Sequence, residues 1–291
     1  MRIVPSRWWL SLPLVLLGSW PLWSAAQSAG DAGSSTGTPT SSVAAPTAPG
    51  GLPLTLTGDI ELGGFHDSVT NNYGDWNGEF VRLVAPLGSS DTLNAELVNS
   101  REFHDSGTLL TVGDTHVFTD RTFAQVSVAT STEGYYLPTG RIDAAIDEKW
   151  LDHLQLVTNI GVSFIDYRGG YSDRALTFGA AYYLSSLPLV MEAGARVNQA
   201  SPGDVDATTG FVAATYGTAG QHFISLRYGF GREAYQLVGS NQVLTDFSSN
   251  DVLLTWRQWI AANQGFQVRV EAYSNPYYRR TGLEASWFHD F

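Results

Sequence analysis

Apolar and polar residues alternate one by one along most of this chain, and that period of two limits it to strands with two unlike faces. Ile142, Ala144 and Ile146 alternate with Arg141, Asp143 and Asp147, and Leu156, Ile160, Val162 and Phe164 with Gln155, Asn159 and Ser163. Met191, Ala193, Ala195 and Val197 alternate with Glu192, Arg196 and Asn198, and Phe266, Val268, Val270 and Ala272 with Gln267, Arg269 and Glu271. The same interleaving joins Leu54, Leu56, Ile60 and Leu62 to Thr55, Thr57, Asp59 and Glu61. Strands are predicted to start near residues 54, 75, 91, 108, 121, 138, 154, 173, 189, 207, 221, 250, 265 and 281. That makes about 14, with 12 as the alternative.

Alternation alone does not decide which face meets water, since a soluble sandwich turns its apolar face inward. Charged residues make up only 15% of the 291 residues, against about 25% in soluble domains. Beyond the N-terminus no run reaches the ~18 consecutive apolar residues of a membrane helix. Tight connections at Pro86–Ser90, Thr119–Arg121, Ser185–Pro188 and Gly217–Gly220 alternate with wider polar stretches at 66–74, 133–140, 198–206 and 233–249. Short periplasmic turns and longer external loops give outer-membrane barrels this asymmetry. In lipid an open sheet edge would leave backbone groups without partners, and only closure removes the edge. The expected fold is all-β, a closed antiparallel transmembrane barrel with both ends in the periplasm.

Residues 1–26 read as a secretory signal, with Arg2 and Arg7, an apolar run from Trp8 to Trp23, and small residues Ser24, Ala25 and Ala26 for cleavage. Residues 27–51, rich in Ser, Thr, Ala, Gly and Pro, read as a flexible linker, which leaves 52–291 for the barrel. The expected location is the outer membrane of a Gram-negative bacterium, among its lipids and lipopolysaccharide. A net charge of −12 argues against a nucleic-acid partner. The absence of cysteine excludes a disulfide framework and thiol chemistry.

The candidates to line the lumen are Asp59, Glu61, Arg141, Asp143, Glu192, Arg196, Arg227, Arg257, Arg269, Glu271 and Glu284. Two arrangements are open. Arg227, Arg257 and Arg269 could face Asp59, Glu61 and Glu284 across a gap, a transverse field that selects solutes. Alternatively the same groups pair and fill the interior. About 14 strands lies between a barrel filled by side chains and one holding an aqueous channel, which favours a partly filled lumen. Tyr135, Tyr136, Tyr167, Tyr171, Tyr235, Tyr277 and Tyr278 are expected in the outer aromatic girdle, and Trp150, Trp259 and Trp287 in the inner one. Phe-His-Asp occurs at 65–67, 103–105 and 288–290. Imidazole beside carboxylate suits a divalent ion, but strand-end polarity with Phe at the interface accounts for all three copies, and no metal or cofactor is assigned. His, Ser and Asp occur without a spacing that marks a nucleophile, so no enzymatic role is assigned.

Leu283, Ala285, Trp287 and Phe291 share one face of the last strand, and a terminal Phe after alternating apolar residues resembles the signal read by the outer-membrane assembly machinery. The sequence also resembles the YaiO family of outer-membrane β-barrels. The resemblance is carried by Phe247-Ser248-Ser249, Trp256 to Ile260, Gly265, Glu271-Ala272-Tyr273 and Gly282, with Gly210 to Tyr216 and His222 to Tyr228 upstream. It implies a surface protein linked to polysaccharide export, although the helical repeats fused to some members are missing here. A narrow passage, a structural or adhesive barrel with a plugged lumen, and a lipid-modifying enzyme are the function classes carried forward, in that order. Deleting Phe291 removes a ring whose burial is worth about 1.5–3 kcal/mol. The outer-membrane level of the deletion should fall more than its stability after refolding in detergent, and normal insertion would show that Phe291 is not the assembly signal.

Overall fold

The computed structural model describes residues 58–240 and 242–291; the signal and linker assigned to residues 1–26 and 27–51 lie outside them. The described chain forms β1 (Asp59–Val69), β2 (Trp76–Leu87), β3 (Asp91–Glu102), β4 (Asp105–Val117), β5 (Thr122–Ser131), β6 (Pro138–Trp150) and β7 (Leu156–Tyr167). After a 3₁₀ turn at Arg168–Gly170 come β8 (Ser172–Leu184), β9 (Leu189–Ser201), β10 (Val205–Thr218), β11 (His222–Gly239), β12 (Gln242–Ala261), β13 (Gln264–Ser274) and β14 (Arg279–Asp290). Each strand pairs antiparallel with its sequence neighbours, and β1 pairs with β14 to close the barrel. The seam runs from Asp59↔Asp290 to Val69↔Arg280. Gly58 and Phe291 extend it with two backbone hydrogen bonds of 2.8 and 2.9 Å. A side chain at Gly58 would strike the Phe291 ring, which lies 2.4 Å from where its Cβ would sit.

The pleat sorts the sequence as its alternation requires. One face of every strand points out and carries exposed apolar residues, from Leu62 on β1 through Val126 on β5, Ile160 on β7 and Leu226 on β11 to Leu283 on β14. An exposed apolar band around a closed sheet is a surface for lipid. The opposite face is polar and buried: Glu61, Glu96, Asp147, Arg196, Arg227 and Gln267 all point into the barrel.

The two ends of the described chain, Gly58 and Phe291, lie at one rim, the periplasmic one in barrels of this kind. The expected loop asymmetry is not there. Connections at the opposite, outer rim span only 70–75, 103–104, 132–137, 168–171, 202–204, 240–241 and 275–278, much like those at the inner rim. Polar residues that suggested long loops, such as Asp67, Asn198 and Glu233, are inward-facing strand residues. The stretch 233–249 differs most from its expectation: β11 and β12 continue through it as a two-stranded hairpin.

Arg at Ile160, which faces lipid, should cost about 2–4 kcal/mol on refolding into lipid vesicles, and Arg at the neighbouring inward Asn159 distinctly less. Equal losses at the two positions would contradict the assignment of faces.

Candidate functional site

The barrel interior is built in layers. At mid-height Arg82 reaches three carboxylates from strands on both sides of the seam: Nε lies 2.7 Å from Glu96 Oε1, and Nη1 lies 3.0 Å from Glu284 Oε1 and 3.4 Å from Glu61 Oε1. Arg269 shares Glu284 at 3.4 Å, and Gln267 donates to Glu61 at 3.0 Å. The guanidinium of Arg82 also covers the Phe80 ring at 3.7 Å. Below this cluster, toward the inner rim, Arg257 pairs with Asp59 at 2.6 Å and lies 3.5 Å over the Phe288 ring. Phe288 packs with Phe223 and Trp259, whose Nε1 donates to Asp290 at 2.6 Å. On the far wall Arg141 pairs with Asp143 at 2.6 Å, Arg196 with Asp173 at 3.3 Å and Arg227 with Asp251 at 2.5 Å.

The outer mouth is covered by the β11–β12 hairpin. Pairing of β10 with β11 ends at Thr208↔Arg232, and pairing of β12 with β13 ends at Asn250↔Ser274. Beyond those points, Glu233↔Phe247 to Gly239↔Gln242, the two strands bond only each other. A lone two-stranded hairpin is marginal in water, and this one is held by burial on both faces. Six consecutive residues, Glu233 to Val238, are buried. Val238, Leu244 and Phe247 pack with Trp76, Phe103 and Tyr278 of one wall, while Leu237 packs with Ile165 and Tyr167, and Tyr235 with Ala200 and Ala207, of the other. The hairpin therefore crosses the mouth. It is pinned by Tyr273 Oη donating to Glu233 at 2.8 Å and by Gln236 donating to Tyr278 Oη. Gly231 permits the departure: a Cβ there would come within 2.5 Å of Thr208 O, and its φ of 151° lies in the glycine-favoured region. Outside the rim Arg232 donates to Asp246, which holds that carboxyl below its usual range.

All eleven lumen candidates lie on the inward face, and most are buried. They do not form separated rows. Arg257 touches Asp59 and Arg269 touches Glu284, because β12, β13, β14 and β1 are successive neighbours around the closure. Glu271 accepts from Arg280, and Glu192 lies within electrostatic reach of Arg227. Leu283, Trp287 and Phe291 are exposed on the outer face with Ala285 between them.

Several aromatic expectations are corrected. Trp150 and Trp287 face outward, but Trp259 is buried inside the barrel. Among the outer tyrosines Tyr135 and Tyr277 are exposed, whereas Tyr136, Tyr167, Tyr235 and Tyr278 are buried. The Phe residues of the three Phe-His-Asp copies are buried inside rather than at the interface. Those on strands obey strand parity, which outweighs the aromatic preference for headgroups, while Phe103, Tyr136 and Tyr278, in connections at the outer rim, turn inward into the cluster around Trp76. Arg82, Glu96, Asp173, Asp251 and Arg280 were missed. For Arg82 the signal was available: Phe80, Arg82 and Val84 alternate with Val81, Leu83 and Ala85.

An apolar exterior, a charged interior and a closed antiparallel wall define an outer-membrane β-barrel. Similar solved structures share that fold. The CymD monoaromatic hydrocarbon channel aligns with a TM-score of 0.55 at 7% identity, covering 81% of this chain and 88% of its own. A bacterial polysaccharide outer membrane secretin aligns with a TM-score of 0.51 at 8% identity, covering 80% of this chain and 98% of its own. No curated protein matches the sequence. The family is nonetheless clear: the YaiO membrane beta barrel domain matches residues 57–236, more than half of the chain, which therefore belongs to the YaiO family. That match ends before Phe247, so most of the motifs that carried the resemblance lie outside it.

Removing Arg82 leaves buried Glu96 without its ion-pair partner and takes a guanidinium from Glu61 and Glu284. Arg82→Met should destabilise the refolded barrel by about 3–5 kcal/mol. Arg174→Gln, at an exposed side chain bonded to Gln199, should cost about 1 kcal/mol or less. Urea unfolding in detergent distinguishes the two.

Proposed function

We propose that this YaiO barrel is a narrow polar passage, closed at rest by the β11–β12 hairpin. The observation that carries the reading is the contrast between wall and lid. The interior is lined by charged side chains that water could solvate, while the hairpin across the mouth takes no part in the barrel ladder and is held by side-chain packing and a few side-chain hydrogen bonds. A wall built only for rigidity gains little from buried ion pairs, since apolar replacements are often neutral or stabilising. Such pairs suit an interior that is dry in one state and wet in another.

The secretin's name links that protein to polysaccharide, and the family resemblance points the same way. With Arg82, Arg196 and Gln267 filling the cross-section, small solutes fit this reading better than a polymer. The proposal includes no catalytic role. It places the barrel among outer-membrane lipids and lipopolysaccharide, delivered there by the assembly machinery.

Planar-bilayer recording tests the reading. The wild type should give no steady conductance, whereas the full chain with Val238→Asp and Leu244→Asp, which put charge into the hairpin's apolar seat, should conduct steadily. Silence from both would favour the plugged structural barrel, and wide steady channels in the wild type would contradict closure at rest.

A further inference from the structure

The lipid-facing exterior is not equally tall around the barrel. On β8 and β9 every outward pair from Leu176↔Val197 through Ala180↔Ala193 to Leu184↔Leu189 is apolar on both strands, five pairs in register. Arg174, bonded to Gln199, bounds them at the outer rim. On β3 and β4 only two successive outward pairs are apolar on both strands, Leu97↔Leu110 and Ala95↔Val112. Above them Asn99 donates to Thr108 at 2.9 Å, and Arg101 stands opposite Ser106. Below them Leu93 stands opposite the exposed Asp114, and Asp91 lies 2.6 Å from His116. From one outward pair to the next the strand climbs about 5 Å along the barrel axis, two residues of rise on a strand tilted by roughly 40°. The apolar band is therefore about 25 Å tall at β8 and β9, the usual height for such barrels, and about 10 Å at β3 and β4.

We propose that the bilayer is pinched along β3 and β4, where headgroups of the periplasmic leaflet rise to the level of Asp114 and His116. A charge on the lipid face costs more the nearer it lies to the midplane. Among the described residues no cation pairs with Asp114, and Arg121 of the following turn donates instead to the carbonyl oxygens of Lys149 and Leu151. Tilting the whole barrel moves the band up on one side and down on the other but alters the height of neither. Local thinning of the bilayer matches the short side at modest cost. The polar boundaries continue on the neighbouring strands: Glu79 of β2 stands in register with Asn99, and Glu148 of β6 faces outward and accepts from Thr122 at 2.7 Å. The inference concerns the outer wall and does not rest on the passage reading.

The chain contains no cysteine, so one spin label can be placed through Val112→Cys or Ala193→Cys in the full chain refolded into dioleoyl phosphatidylcholine vesicles. Relaxation by oxygen and by a neutral nickel chelate reads the depth of each label. The nickel chelate should reach position 112 several-fold better than position 193, where oxygen should dominate. Asp114→Leu with His116→Leu extends the apolar rows toward the inner rim and should cut nickel access at position 112 at least twofold. A position 112 as dry as position 193 would overturn the proposal, and so would nickel access that the two leucines leave unmoved. A label at position 112 that neither reagent reaches would show protein, such as a second copy of this chain, covering the face in place of lipid, and would equally defeat it. The comparison of the two labelled positions decides the matter even where the leucine variant fails to refold.

Discussion

A backbone amide in hydrocarbon has no water to turn to, and the structure depends on that constraint. Every strand must lie between two others, so β14 must find β1 although most of the chain separates them in sequence. The seam register follows, and with it the interior chemistry. Glu61 and Glu284 meet one guanidinium because closure makes their strands neighbours and parity turns both carboxylates inward. The Arg82 cluster is thus a product of backbone pairing, and its charges confirm a register that the ladder and the lipid-facing residues already specify.

The interior solves a filling problem. A barrel of this strand number encloses more room than aliphatic side chains of one inward row occupy. Long charged side chains fill the lower and middle levels, and their guanidinium groups lie over aromatic rings at both ends, Arg257 on Phe288 and Arg280 on Trp76. The outer level is filled differently, by a hairpin folded back from the wall. The inner half is closed by parts that belong to the ladder, the outer half by a part that does not.

Much of the fold was legible because period two is a local property: each of Ile142, Ile160 and Val270 declares its face through its immediate neighbours. The inward charges were legible for the same reason, as Arg196 and Arg269 show. Their pairing was not, because Arg82 meets Glu284 only through closure, and the sequence distance between them conceals this. The hairpin was misread as loop because Glu233 to Val238 are buried on both faces, which destroys the alternation by which a strand is recognised. Trp259 was misplaced because preference for the headgroup region was weighed above the parity of its strand, and Tyr278 because the connection that carries it turns the ring inward against Trp76 and Tyr273.

The self-bonded hairpin also sets how this architecture can change over time. Because neither of its strands takes part in the barrel ladder beyond Arg232 and Asn250, insertions or deletions there leave the register of the other twelve strands intact. Elsewhere a one-residue slip would turn a strand's charges toward lipid. The mouth is therefore the part of the barrel where length is free to drift, and homologues can differ most in their closure while keeping the same wall.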